Sequence, residues 1–185
     1  MAQRGDYIAL FDQLFPHFFE NDYIRSIPED HVCEEMILEL SAFDPDAHPI
    51  PVPDGIRFGF FDGKIDDLKA AVAEVDEGWV KYYNSPERAY CAFDGDRVVS
   101  FCDVGAFGEA EFCGRHVRVG GPGCVGTIPS YRRRGIGLKM VSGATAILKE
   151  QGFDCSWIHY TGVGPWYAKL GYETVLRWNG GGFIG

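Results

Sequence analysis

Three consecutive arginines, Arg132, Arg133 and Arg134, run directly into Gly135-Ile136-Gly137. Residues of these types at this spacing can hold an anion. A helix that starts here presents backbone N–H groups with no intrahelical partner, at the positive end of the helix dipole. Glycine puts no side chain between those donors and an arriving phosphate. Arginine side chains complete the neutralisation.

The flanking residues supply the elements that such a site needs. Val125, Gly126, Thr127 and Ile128 precede the arginines and read as the end of a strand, which Pro129 closes because proline has no N–H for the ladder. From Leu138 the apolar positions Leu138, Val141, Ala144, Ile147 and Leu148 recur at steps of three or four, the helical period. Gly152 is a suitable residue to end that helix. Strand, basic turn and helix therefore follow one another within a short stretch.

Elsewhere the pattern predicts an apolar helix over residues 7–20, ended or kinked at Pro16. A second helix is expected over about 30–41, with Val32, Met36, Ile37 and Leu40 on one face. Residues 43–55 carry Pro45, Pro49, Pro51 and Pro53 and read as an extended linker. The expected organisation is thus an N-terminal helical arm and proline-rich linker over 1–54, followed by a domain over 55–185. Within that domain the expected order is a strand at 56–61, helices at 66–75 and 77–83, then strands at 88–93 and 97–104 joined by a hairpin at Asp94-Gly95-Asp96. A strand at 111–119 ends at Gly120-Gly121-Pro122-Gly123. After the basic loop and its helix come a strand at 155–160, a short helix at 165–170 and a last strand at 172–178. This order gives an α/β (α+β) class with a mixed, mostly antiparallel sheet flanked by helices. Regular alternation of strands with long helices, as in a doubly wound fold, is absent.

Arg132-x-x-Gly135-x-Gly137 between a strand and a helix resembles the acyl-CoA pyrophosphate loop of the GCN5-related N-acetyltransferase (GNAT) superfamily. Trp166-Tyr167-Ala168-Lys169-Leu170-Gly171-Tyr172 resembles that family's Tyr-x-x-x-Gly-aromatic segment, at the expected distance downstream. The resemblance covers about residues 55–180. It implies the GNAT fold, acetyl-CoA as cosubstrate and transfer of an acetyl group to an amine. By position it assigns Val125, Gly126 and Thr127 to the pantetheine arm, and Arg132, Arg133, Arg134, Gly135, Ile136, Gly137 and Leu138 to the pyrophosphate. It assigns Tyr167 to protonation of the leaving thiolate. Relatives often carry asparagine seven residues before that tyrosine, where this chain has Tyr160.

Such a transfer needs a group to take the amine's proton, donors for the oxyanion of the tetrahedral intermediate, and an acid for the thiolate. Asp103, Glu109, Glu111, His116 and His159 are the candidate proton acceptors. Of these, Glu109 and Glu111 are expected in a loop before the hairpin, His159 on a central strand and Asp103 at a strand end. The expected reaction is direct attack by a primary amine of a small molecule or peptide in a ternary complex. A catalytically inactive acyl-CoA-binding regulatory domain is the alternative reading.

Composition narrows the partners. The chain has 185 residues and a net charge of −10, which makes nucleic acid a poor partner despite the local arginines. No Gly-Lys-Ser/Thr phosphate loop is present. No apolar run approaches a membrane span, and the first residues lack a signal-peptide pattern. The six cysteines form no C-x-x-C pair, so they read as small buried hydrophobes of a cytoplasmic protein and no metal is expected. The aromatic arm would suit packing on the domain or a homodimer interface.

Overall fold

The computed structural model describes residues 2–47 and 49–185; Met1 and His48, the latter within the expected linker, lie outside the described residues. Eight strands are hydrogen-bonded in the order β2-β3-β4-β5-β6-β1-β7-β8. They are β1 (Cys33–Glu39), β2 (Ile56–Phe60), β3 (Ala89–Asp94), β4 (Arg97–Phe112), β5 (Arg115–Thr127), β6 (Cys155–Thr161), β7 (Glu173–Asn179) and β8 (Gly182–Ile184). The helices are α1 (Arg4–Leu14), α2 (Asp22–Arg25), α3 (Ile65–Ala73), α4 (Ile136–Glu150) and α5 (Gly164–Tyr167). Pairing is antiparallel between β1 and β6, β1 and β7, β2 and β3, β3 and β4, and β7 and β8. Strands β5 and β6 run parallel, with Val119 opposite Cys155 and Gly120 opposite Ser156. The mixed, mostly antiparallel α/β class expected from the sequence is the class observed.

The chain divides into two compact units. The first comprises Met1–Phe43, Ala106–Gly120 and Gly152–Gly185. Its core joins Leu10, Phe11 and Leu14 of α1 to Ile37, Val117, Val119, Trp157 and Leu176 of the strands. Trp157 is fully buried, and truncating such a residue to alanine costs about 3–5 kcal/mol. The second unit comprises Asp44–Gly105 and Gly121–Gln151. Its core packs Leu68 and Val72 of α3 and Ile136 of α4 with Val99, Phe101 and Ile128.

Several expectations are corrected. Residues 33–39 form strand β1 rather than the middle of a helix. Glutamate, methionine and leucine favour helix intrinsically, but ladders to β6 on one side and β7 on the other override that preference. The expected end of the first helix at Pro16 holds, with α1 stopping at Leu14, while Phe18–Glu20 form a separate 3-10 turn. The short helix expected at 77–83 is present as a 3-10 helix, Glu77–Tyr82. The stretch Gly120–Gly123 does not interrupt β5, and β4 continues to Phe112. Asp103, Glu109 and Glu111 therefore lie within β4, not at its end or in a loop.

Candidate active site

The basic loop belongs to the second unit and sits between β5 and α4. Three side chains grip the end of β5 by its carbonyls. The Tyr83 hydroxyl donates to Cys124 O at 2.8 Å, the Ser100 hydroxyl to Gly126 O at 2.7 Å, and Arg132 Nε–H to Thr127 O at 2.9 Å. The Ser100 and Thr127 hydroxyls also lie 2.8 Å apart. Gly126 is needed here, since a Cβ would sit 2.4 Å from the Phe101 ring.

The loop then turns sharply. Arg133 is left-handed at φ 62°, and Gly135 is left-handed at φ 80° as the N-cap of α4. A Cβ on Gly135 would lie 2.3 Å from the Pro51 carbonyl oxygen, so the expected linker passes directly over this turn. The first intrahelical bond runs from Lys139 N–H to Gly135 O at 3.0 Å. The N–H groups of Ile136, Gly137 and Leu138 precede it, and no side chain caps the helix. No acidic residue occupies the first turn. Arg132, Arg133 and Arg134 are exposed beside it, and the Arg134 guanidinium lies 5.1 Å from the Tyr131 ring centre. The Tyr131 hydroxyl donates to Asp94 at 2.5 Å, and this hydrogen bond, more than burial, pushes the phenol up. The residues expected to hold a pyrophosphate are thus brought together as one electropositive, glycine-bearing helix start.

The other candidates fall into separate groups. In the second unit, Asp103 is bound to Arg88; burial raises its carboxyl, and the guanidinium opposes that rise. In the first unit, His116 lies between two carboxylates, with Nε2 3.0 Å from Glu109 and Nδ1 3.1 Å from Glu111. All three are exposed. The hydrogen bonds to Glu109 and then Glu111 raise the imidazole, which favours its charged form and leaves it poorly suited to accept a proton. Tyr167 is buried, 4.8 Å from the Trp166 ring and 6.1 Å from the Tyr172 ring.

His159 is half-buried and belongs to a cluster that the sequence reading missed. Its Nδ1 lies 2.9 Å from Glu35, whose side chain is fully buried. Glu35 also accepts from Trp157 Nε1 at 2.6 Å, Trp178 Nε1 at 2.8 Å and the Tyr160 N–H at 3.1 Å. The backbone is shaped for this. The register between β1 and β6 shifts at Glu34/Met36, where the intervening Glu35 faces a β6 strand carrying one residue more. Tyr160, at φ 50°, turns its N–H toward the carboxylate. Glu35 directly precedes the apolar run Met36-Ile37-Leu38, and helix periodicity hid its role.

Among the described residues, no group of three or more His, Cys, Asp or Glu side chains is placed to hold a metal ion, and no helix is long and apolar enough to cross a membrane.

Fold and loop together define an α/β protein with a mixed sheet and a helix start that follows a strand through an arginine-rich turn. The family model of the acetyltransferase (GNAT) domain matches residues 62–175, and the chain belongs to that family. Solved structures agree on the fold. One, described as a GCN5-related glucosamine N-acetyltransferase region of a fungal multi-domain GH3 β-N-acetylglucosaminidase, is similar with a TM-score of 0.66 at 22% identity, over 81% of this chain and 20% of that one. A GCN5-related N-acetyltransferase from Sphaerobacter thermophilus aligns with a TM-score of 0.57 at 23% identity, over 79% of this chain and 49% of that one. One from Kribbella flavida aligns at 0.52 and 21% identity, over 80% of this chain and 56% of that one. The chain thus spans between a fifth and just over half of the length of these structures. No curated protein matches it. The family's chemistry is acetyl transfer, and acetyl-CoA is its usual donor.

Proposed function

We propose that the chain is an acetyl-CoA-dependent N-acetyltransferase that acts on a primary amine of a small molecule or peptide in a ternary complex. The observation that carries this reading is the start of α4. Gly135 is held left-handed against the Pro51 carbonyl, the N–H groups that follow precede the first intrahelical bond, and three exposed arginines come just before them in the chain. Helix N–H groups without an intrahelical partner, flanked by arginines, suit a pyrophosphate.

In this reading Arg133, Arg134 and the N–H groups from Ile136 to Leu138 bind the pyrophosphate. Arg132 holds the loop against β5 through Thr127 and adds its charge. Val125, Gly126 and Thr127 line the pantetheine arm, on a strand end whose Gly126 and Thr127 carbonyls are held by Ser100 and Arg132. Acetyl-CoA supplies an activated thioester. The chain's part is to hold it in line with the amine, accept the amine's proton and return one to the departing sulfur. Tyr167 is the proposed acid for that last step. Glu109, Glu111 and His159 remain the proposed groups around the amine.

The test mixes the protein with acetyl-CoA and a panel of amines, and follows free thiol. The panel includes polyamines, aminoglycosides, amino acids, peptide N-termini and glucosamine, the last because a structural neighbour bears that activity in its description. Amine-dependent thiol release supports the reading. Tight acetyl-CoA binding with no release across the panel would replace it with a regulatory acyl-CoA-binding domain. Tyr167→Phe is expected to lower the rate while leaving acetyl-CoA affinity intact.

A further inference from the structure

Glu35 lies outside the residues matched by the family model, yet it is one of the most fully engaged side chains in the protein. Each carboxylate oxygen accepts two hydrogen bonds. Oε2 takes Trp157 Nε1 and His159 Nδ1, while Oε1 takes Trp178 Nε1 and the Tyr160 N–H. A carboxylate offers about four lone-pair sites, and all are used. Indole and backbone N–H groups can only donate. Three such donors suit the acceptor-only carboxylate form, and against a carboxylate the nitrogen of His159 that faces it carries a hydrogen. An imidazole with a lone pair at Nδ1 would set two acceptors against each other at 2.9 Å.

From this geometry we infer that Glu35 is a positioning residue that fixes His159 as the Nδ1–H tautomer, and that His159 Nε2 is the proton acceptor of acetyl transfer. The inference rests on the transferase reading above and names the base it left open. With Nδ1 committed, the lone pair sits on Nε2, which makes no hydrogen bond among the described residues. The ring plane is fixed as well. Phe15 stacks on the imidazole at 4.0 Å and 8°, and Phe18, Phe11 and Phe107 approach at 5.1, 5.9 and 6.4 Å. The imidazole keeps 22% side-chain exposure, enough for one edge to meet a substrate. The rival bases are otherwise occupied: Asp103 by Arg88, and Glu109 and Glu111 by His116.

The proton balance closes with groups already named. The acceptor arrives as an ammonium ion and gives one proton to Nε2, leaving an imidazolium whose Nδ1–H stays on Glu35. The neutral nitrogen attacks the thioester carbonyl. A C–N bond forms, the C–S bond breaks, and the second nitrogen proton is matched by one delivered to the thiolate, with Tyr167 as the proposed carrier. The proton on His159 passes to water, so each turnover releases an amide, a thiol and one proton.

Nitrogen-15 NMR of histidine-labelled protein, assigned with His159→Gln, reads the tautomer without any substrate. The wild-type protein is expected to show a protonated Nδ1 and a bare Nε2 at His159 where the ring is neutral. A bare Nδ1 would overturn the inference. Glu35→Gln removes one acceptor and adds donors, so the tautomer preference should be lost or inverted; an unchanged spectrum in a folded variant would also overturn it. In thiol-release assays with an amine the protein accepts, His159→Gln and Glu35→Gln should each lower kcat at least 100-fold while changing the KM for acetyl-CoA less than threefold. Full turnover in His159→Gln would remove the base role. If no amine released thiol, the transferase reading would fail and with it the base role, whereas the wild-type spectrum would still decide what Glu35 does to His159.

Discussion

Arg132 Nε–H donates to the carbonyl oxygen of Thr127 at 2.9 Å, five residues back along the chain. The arginine thereby ties the basic loop to the strand that leads into it. It serves geometry as much as charge, and the two roles can be separated by substitution.

Arg132→Ala should raise the acetyl-CoA dissociation constant about 5–10-fold, a loss near 1 kcal/mol. Arg132→Lys keeps the charge but has no planar N–H at the Nε position, so it should recover less than half of that loss. Calorimetric titration of the three proteins decides the matter. Full recovery by lysine would show that charge alone is at work.

Gly135→Ala should cost stability through two effects. A left-handed backbone costs an L-residue about 1–2 kcal/mol, and the new Cβ would meet the Pro51 carbonyl at 2.3 Å. At roughly 2–4 °C per kcal/mol for a chain of this size, the backbone effect alone should lower Tm by about 2–8 °C, and the contact with Pro51 adds to that fall. Thermal denaturation followed by circular dichroism gives the answer, and an unchanged Tm would mean that residues 50–51 do not cover the turn.

His116 should titrate above the ordinary value of 6.5, because both ring nitrogens face carboxylates. A group whose pKa rises on folding contributes stability that is fully present below its unfolded pKa. That contribution is lost as pH rises through the folded value. Substituting both Glu109 and Glu111 by glutamine should return the His116 titration, followed by NMR, to the ordinary value. The stability effect is expected to be small, since the cluster is exposed.

Native thiol reactivity should be confined largely to Cys113. It is the exposed cysteine, at the turn between β4 and β5, whereas Cys33, Cys91, Cys102 and Cys155 are buried. Burial pushes the Cys91 thiol up to about 12 and those of Cys124 and Cys155 to about 11. A disulfide reagent should therefore modify one thiol quickly and the rest only on unfolding. Cys113→Ser should abolish the fast phase.

The parts of this structure that were legible in the sequence are those set by local rules. The strand ending before Pro129, the turn that follows it and the amphipathic α4 are each written within a few residues. The short helix that carries Tyr167 was legible too, from Pro165 at its start and Gly171 after its end. Strand β1 was not legible. Its residues favour helix, and nothing local marks Glu35 as the buried centre of a polar cluster. The partners that explain that glutamate, Trp157, His159 and Trp178, lie more than 120 positions away along the chain, beyond the reach of any local pattern. The long β4–β5 ladder was cut short for a similar reason: glycine and proline at 120–123 signal a turn locally, while sheet pairing keeps them extended.

The four donors on Glu35 also bear on how the first unit finds its fold. They come from two strands that flank β1 on opposite sides, β6 and β7. If β1 slipped by two residues, Cys33 or Ile37 would take the place of Glu35. Both indoles, the imidazole and the Tyr160 N–H would then be left unpaired, at roughly 1–3 kcal/mol each. That total is comparable with the whole stability of a typical domain, about 5–15 kcal/mol. A single carboxylate thus serves as a checkpoint on strand register, rejecting misaligned sheets that would bury hydrophobic area almost as well.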